Sequence, residues 1–512
     1  MGKIILAIIL LTFLFIGCEN KTTHINSFKQ GYKNIVNEKS IFKSKKDYTN
    51  ESEGIKKAFD KDKNTKFFVP YPENSIIIEN KTKSIIKKYS ITSGNDAPGR
   101  DPRNWTLSGS LDGTLWKILD TKTNQLFIKR GETNKYNLEN NIFEFKFYKF
   151  DLEYNHTSVY DDNALQIGEI ELFAYTDLPV SEFSVNSEKI KIGDAISFKD
   201  ISANEPDSWQ WFFENGIPAT SSLQNPNVLY NSPGNHNVVL ITKNKFGTDT
   251  LVKERKIKVF DPKNPWVGFH YPEIAISTTD TVSKGYKRAI SVIPDMEQVI
   301  HKITLGVCKL LYKNHTEVPD FKKVNFIYEF SNTLASKGGN NTEMELRFST
   351  KFIQNGLKDE KDEAIKYSIN GILWHELTHG YQSSVSTSDD QYKMGYDYFA
   401  YLEGMADFVR IKAEYHKKRY PDLGIKDFKY LSGYTTTGFF LKWIEDNYDN
   451  DFLYKFNASS QTIIPWSFKK AFEKILNKDV DLLWNKYSNF VKKNKKKKVD
   501  NSKKKKIHWT EM

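Results

Sequence analysis

The chain has 512 residues, 75 Lys and Arg against 64 Asp and Glu, a formal net charge of +11, and two cysteines. A chain of this length is expected to divide into several domains, and two cysteines exclude a disulfide framework. The positive excess sits in one place: Lys492 to Lys506 holds ten Lys and one Asp. With no helix-turn-helix, nucleotide-binding glycine loop or CxxC pattern beside it, a nucleic-acid function is excluded.

Met1-Gly2-Lys3 gives a positive start, and Ile4 to Ile16 is a largely apolar run of 13 residues. That run suits the h-region of a signal peptide and is short for a membrane span. It ends Phe15-Ile16-Gly17-Cys18, which resembles the bacterial lipoprotein cleavage box, with Phe15 where Leu is usual. The resemblance implies a signal peptide over 1–18, lipid on the Cys18 sulfur, and a place in the bacterial cell envelope, on its periplasmic or surface face. A plain secretory signal with a Cys by chance is the alternative. Residues 19–49 are Lys- and Asn-rich and read as a tether. Cys308 falls among Ile303, Leu305, Val307, Leu310 and Leu311 and reads as a core thiol.

Residues 50–175 have a β pattern. Ser84 to Thr92, Trp105 to Gly109 and Ile167 to Phe173 are short strands between turn clusters. Ala58 to Thr65, Arg100 to Ser110 with Trp116, and Gly168 to Leu172 resemble the discoidin, or coagulation factor type C, family. That family is a jelly-roll β-sandwich of galactose-binding type, often a carbohydrate binder. The resemblance implies a structural Ca2+ at Asp60, Asn64, Thr65 and Glu169, with oxygen ligands of the kind calcium takes. Lys61 stands where the family usually has Gly. Residues 177–261 resemble the polycystic-kidney-disease (PKD) type of immunoglobulin-like sandwich, on Trp209 to Gly216, Asn225-Pro226, Tyr230 with Gly234, and Val238 to Gly247. Its simplest role is a spacer.

Pro262 to Pro265 marks a break, read as a hinge, before a third domain over 264–490. Asp295 to Lys313 has helical periodicity, while Val324 to Phe330 and Glu343 to Ser349 read as strands. His375-Glu376-Leu377-Thr378-His379 is an H-E-x-x-H signature. On a helix, residues four apart share a face, so His375 and His379 can converge on one metal ion with Glu376 beside them as general base. Ile365, Ile369, Ile372 and Leu373 lead into the motif at helical spacing. Tyr401 to Arg410 reads as a second helix with Leu402, Met405, Ala406 and Val409 on its apolar face. Glu403 and Asp407 lie one turn apart on that helix. Glu403 is the candidate third ligand, and Asp407 is placed to orient a ligating His. Thr436 to Asn447 and Trp466 to Leu476 read as further helices.

His375 to His379 followed by Glu403-Gly-Met-Ala-Asp407 resembles the plant basic secretory protein family of peptidases and its bacterial relatives, within the gluzincin group of zinc metallopeptidases. Trp374, Gln382 and Ser432-Gly433-Tyr434 match as well, and the resemblance spans Asn264 to Tyr487. It implies Zn2+ held by His375, His379 and Glu403, Glu376 as catalytic base, and Asp407 behind the ligands. Tyr434 would donate to the oxyanion. A gluzincin has a strand lining the cleft, and Glu343 to Ser349, just before the motif helix, is the expected one. Glu403 comes 24 positions after His379. No third His follows in H-E-x-x-H-x-x-G-x-x-H, so the metzincin pattern is excluded.

Residues 491–512 read as a Lys-rich disordered tail. Together the readings give a multidomain lipoprotein: a discoidin-like jelly roll, an immunoglobulin-like sandwich and an α+β zincin-like metallopeptidase domain. Its expected work is zinc-dependent hydrolysis of peptide bonds in proteins, among them glycoproteins. The expected partners are a protein or glycoprotein substrate, a carbohydrate ligand, and a membrane through the N-terminal lipid. The alternative is a non-enzymatic surface adhesin that binds glycans and carries a vestigial peptidase domain. A glycosidase has no need of H-E-x-x-H.

Overall fold

A computed structural model describes residues 31–47, 53–154, 163–340, 342–387, 392–415, 423–424 and 426–508. The signal segment and Cys18 lie outside the described residues. No helix among those described is long and apolar enough to cross a membrane.

The first domain is two antiparallel sheets around one core. One sheet runs in the order Ile41–Ser44, Glu73–Ser84, Phe145–Tyr154, Pro102–Ser110, Lys117–Lys122. The other runs Tyr32–Asn34, Glu169–Tyr175, Ile86–Thr92, Thr133–Asn137. Side chains alternate across each pleat, so Glu73–Ser84 sends Ile76 and Ile78 inward, against Tyr89, Leu107, Tyr148 and Phe150. Buried polar atoms are matched: the Trp105 indole donates to Tyr89 Oη at 3.0 Å, and Tyr89 donates to Asp120 at 2.7 Å.

The tether is shorter than the sequence implies. Tyr32–Asn34 pairs with Phe173–Tyr175, and Ile41–Ser44 pairs with Ile76–Glu79. Val36 is buried, so one apolar side chain and backbone pairing recruit this Lys- and Asn-rich stretch into the sandwich. The expected strand Ile167 to Phe173 divides at Gly168. Leu165–Ile167 pairs with Phe67–Val69, and Glu169–Tyr175 pairs with Ile86–Thr92.

The second domain is also a sandwich. A five-stranded sheet, Lys189–Lys191, Gly247–Phe260, Gly234–Asn244, Ser208–Phe213, Thr220–Ser221, faces a four-stranded one, Phe183–Val185, Ala195–Asp200, Asn227–Tyr230, Gly216–Ile217. Trp211 is fully buried between Phe183, Phe198 and Phe213, with ring centroids 5.3–5.7 Å away. Contacts cross the Pro262 to Pro265 break. Arg255 Nη1 donates to Asp320 at 2.5 Å, and His315 Nε2 meets the Val259 carbonyl at 3.0 Å. The break is therefore a bend braced on both sides, which local composition does not reveal.

The third domain is α+β. Strands Glu273–Thr278, Lys323–Glu329 and Glu343–Ser349 are parallel, and Ala335–Gly339 closes the edge antiparallel to the last of them. Around them lie α1 (Lys284–Val292), α2 (Met296–Leu311), α3 (Asp362–Tyr381), α4 (Asp397–Lys412), α5 (Tyr434–Asn447), α6 (Phe452–Ser459), α7 (Phe468–Leu476) and α8 (Val480–His508). Asp295 caps α2 through Oδ1 and the Gln298 amide at 2.9 Å. One apolar core joins the parallel strands to α2, α3, α4 and α5, and Cys308 is a buried free thiol within it. Burial raises that thiol well above its ordinary pKa, as expected of an inert core cysteine.

Two expectations change here. Glu343–Ser349 is paired on both sides, so the edge on the cleft side belongs to Ala335–Gly339. The polar, Gly-containing stretch Ala335 to Gly339 shows no strand periodicity, and its pairing is supplied by its neighbour. The Lys-rich stretch expected to be disordered is helical to His508. Val480, Leu483, Trp484, Tyr487 and Val491 anchor α8 on the core. Lysine is a good helix former, so a helix once nucleated propagates through the run.

Candidate metal centre and active site

The H-E-x-x-H residues lie in the last two turns of α3, with Glu403 and Asp407 on α4 facing them. Asp407 Oδ1 lies 2.8 Å from His375 Nδ1. This turns His375 Nε2 toward Glu403, whose Oε2 is 3.1 Å away. His379 Nε2 lies 3.1 Å from His375 Nε2 and 3.6 Å from Glu403 Oε2. Gln382 Nε2 approaches His379 Nδ1 at 3.2 Å. Three lone-pair atoms thus converge on one point, all within 4.8 Å of one another. Tetrahedral zinc with bonds of roughly 2.0–2.1 Å separates its ligand atoms by about 3.3–3.4 Å. The observed separations of 3.1, 3.1 and 3.6 Å bracket that value, so the donor set fits the ion.

The electrostatics belong to the same arrangement. Burial opposes charge on His375, but hydrogen bonds with Asp407 and Glu403 outweigh it and raise the imidazolium to about 9 in the metal-free protein. Burial would also raise Glu403, yet its contacts with His375 and His379 hold it well below the carboxylate range. Glu403 and Asp407 are 2% and 3% exposed. Carboxylates this buried need cationic or hydrogen-bonding partners, and the two imidazoles serve.

Small residues allow α4 and α5 to approach. A Cβ on Gly404 would meet Thr437 Cγ2 at 2.3 Å, and one on Gly438 would meet the Asp407 Cβ at 3.0 Å. The close crossing brings Tyr434, the first residue of α5, over the site. Its ring stacks on His375 with centroids 5.9 Å apart and planes 16° from parallel. Tyr434 has φ +43°, a left-handed conformation rare for an aromatic residue. Glu376 is half-buried and lines the cleft with Tyr434.

The sequence reading missed Tyr392. Its hydroxyl donates to Glu403 Oε1, with Tyr434 alongside at the same cleft. Burial, and then the Glu403 charge, raise the Tyr392 phenol far above its ordinary value, so it stays a donor. Tyr392 sits in an irregular segment before α4 with no periodicity or motif to mark it.

The other predicted site is partly assembled. Thr65 Oγ1 is 3.0 Å from both Asp60 oxygens, and the Glu169 carboxyl faces Asp60. Glu169 Oε1 is buried without a hydrogen-bond partner among the described residues. Burial, then Asp60, push the Glu169 carboxyl up to about 10. The Asn64 amide instead donates to Asp62 Oδ1 at 2.9 Å, a residue outside the expected set. Lys61, where the family has Gly, adopts φ +63°. The loop conformation is kept at the strain a Cβ brings.

Comparison with known proteins adds the following. The model of the family described as "Peptidase of plants and bacteria" matches residues 270–487. A peptide-N(4)-(N-acetyl-beta-glucosaminyl)asparagine amidase of Arabidopsis thaliana is 38% identical over 89 residues, 17% of this chain and 12% of that protein. The match thus spans about an eighth of that relative's length. Among solved structures, CpGH89CBM32-5 from Clostridium perfringens, in complex with GalNAc-beta-1,3-galactose, is 15% identical, with a TM-score of 0.24. It is covered over 100% of its length by 28% of this chain. An F5/8 type C domain from Bacteroides fragilis is 18% identical, with a TM-score of 0.23, over 92% of its length and 27% of this chain.

Proposed function

From the match of residues 270–487 to the peptidases of plants and bacteria, we propose that this protein is a zinc-dependent peptidase that hydrolyses protein substrates. The observation that carries the reading is the convergence of His375 Nε2, His379 Nε2 and Glu403 Oε2 on one point. A zinc ion held by His375, His379 and Glu403 would supply Lewis acidity toward a water and a carbonyl. Glu376 lines the cleft beside these donors, takes the proton from the attacking water and returns it to the leaving amine. Asp407 fixes the His375 ring. Tyr434 donates its hydroxyl to the developing oxyanion, and Tyr392 orients Glu403.

The rest of the chain belongs to the same proposal. Lipid on Cys18 anchors the protein in the bacterial envelope, the first sandwich holds Ca2+ at Asp60, Thr65 and Glu169 and binds carbohydrate, and the second, of PKD type, joins it to the peptidase. Glycoproteins are then natural substrates.

The test is metal content by elemental analysis together with cleavage of a denatured protein mixture, for the parent and Glu376→Gln. One zinc per chain in both, with cleavage lost in the variant, is the expected result. Cleavage retained by the variant would remove Glu376 from the mechanism, and a folded protein without metal or cleavage would return the chain to the adhesin reading.

A further inference from the structure

The two imidazoles of the metal centre are held differently. His375 Nδ1 meets a carboxylate, Asp407 Oδ1, at 2.8 Å. His379 Nδ1 meets a neutral amide, Gln382 Nε2, at 3.2 Å. Gln382 follows the last residue of α3, where the chain turns extended, and it is 6% exposed. Its place is fixed from several sides. Its backbone amide donates to the Thr378 carbonyl at 2.7 Å. On one flank Tyr312 donates to the Tyr381 carbonyl at 2.6 Å. On the other the Ser383 amide donates to Asn457 Oδ1 at 2.8 Å, and Tyr401 donates to the Ser383 carbonyl at 2.8 Å. Tyr312 caps the end of α2, Tyr401 lies on α4 and Asn457 on α6, so residues from three helices hold Gln382 beside His379.

A neutral imidazole carries one proton, so a ring that offers Nε2 to a metal keeps its proton on Nδ1. His379 Nδ1 is then a donor in need of an acceptor. The amide nitrogen of Gln382 is itself a donor and cannot serve. The amide oxygen can, and Gln382 Oε1 is buried without a hydrogen-bond partner among the described residues. A half-turn about the last side-chain bond exchanges the oxygen and nitrogen of a carboxamide without changing its shape. That turn gives the His379 proton an acceptor and the orphaned oxygen a donor.

We infer that Gln382 is a positioning residue of the metal centre: with metal bound, its Oε1 accepts the His379 Nδ1 proton and fixes that ring, as Asp407 fixes the His375 ring. This role rests on the zinc reading of the site and deepens it. An amide here orients His379 without adding negative charge to a centre that already holds Glu403 and Asp407. An acceptor behind a ligating imidazole makes the ring a stronger ligand, and its loss costs about 10–100-fold in metal affinity.

The test uses the full chain, stripped by chelator and reloaded, as the parent, Gln382→Met and Gln382→Glu. Methionine keeps the length of the side chain and has no oxygen, whereas glutamate keeps an acceptor and loses the amide donor. Zinc affinity is read by competition with a chelating indicator. It is expected to fall about 10–100-fold in Gln382→Met and to be kept in Gln382→Glu, with all three proteins melting alike in chelator. Cobalt(II) in place of zinc reads the hydrogen bond itself, because the N–H proton of each ligating imidazole is shifted far outside the diamagnetic range in proton NMR. Signals from both His375 and His379 are expected in the parent and in Gln382→Glu. In Gln382→Met the His379 signal is expected to vanish by fast exchange with water. Parental zinc affinity with both signals kept in Gln382→Met would overturn the role, as would loss of affinity and of the His379 signal in Gln382→Glu. Either result with a metal-binding parent sinks the role of Gln382 alone, whereas a folded parent that takes up neither zinc nor cobalt sinks the zinc reading and this role with it.

Discussion

At the scale of single residues, the site is a set of groups that hold one another. Asp407 makes one His375 nitrogen a donor and so frees the other to face Glu403. Tyr434 is 44% exposed at the mouth, so its hydroxyl is reachable by a substrate while its ring rests on His375. Tyr434→Phe is therefore expected to keep zinc and lower kcat by roughly 10²–10³-fold, the usual cost of losing one oxyanion donor. Steady-state kinetics beside elemental analysis check this, and an unchanged kcat would reduce Tyr434 to a packing role. Tyr392 helps hold Glu403, yet nothing around Tyr392 in the chain distinguishes it from a surface tyrosine. Its role exists only because the fold brings its hydroxyl to Glu403.

At the scale of elements, the α4–α5 crossing sets the position of both Glu403 and Tyr434. Gly404→Val places two methyl groups where Thr437 already stands 2.3 Å from a Cβ. Overpacking of this kind costs about 1–3 kcal/mol. The expected outcome is a lower Tm and less than one zinc per chain, measured by calorimetry and elemental analysis; a variant with parental zinc content would show that the crossing tolerates expansion. The Glu169 loop gives a pH prediction. Its carboxyl is raised from 4.5 to about 10 in the folded protein, so between those values the unfolded chain sheds a proton that the fold retains. The sandwich is thus expected to lose stability as pH rises above 4.5 in chelator, and to regain it with calcium at neutral pH. Thermal unfolding with and without calcium reads this directly, and a melting temperature indifferent to both would remove the site.

At the scale of the molecule, two sandwiches and an α+β domain share one cleft. Arg255 with Asp320, His315 with Val259 and Thr342 with Asp62 cross the domain boundaries. The first sandwich contributes Asn95, Asp96 and Arg100 to the lining of that cleft. The proposed lipid on Cys18 belongs to this scale too. Cys18→Ser is expected to move the protein from the membrane fraction to the soluble fraction on cell fractionation, and persistence at the membrane would assign the attachment to another segment.

The sequence by itself determined the local chemistry and the periodic elements. His375, Glu376 and His379 fall on a helix because apolar residues repeat at helical spacing into the motif, and the strand Glu343–Ser349 alternates strictly. Glu403 and Asp407 were legible because two carboxylates on an otherwise apolar helix face demand a reason. Tertiary structure decided what has no local signature. The edge strand Ala335–Gly339 takes its form from its neighbour, and residues 31–47 join the sandwich through backbone pairing that a Lys- and Asn-rich composition hides. Tyr392 acquires a partner only when α4 is in place, and the shared cleft is lined by residues far apart in the chain. Periodicity records which face of an element meets the core, but which elements meet each other is set by packing across the whole chain.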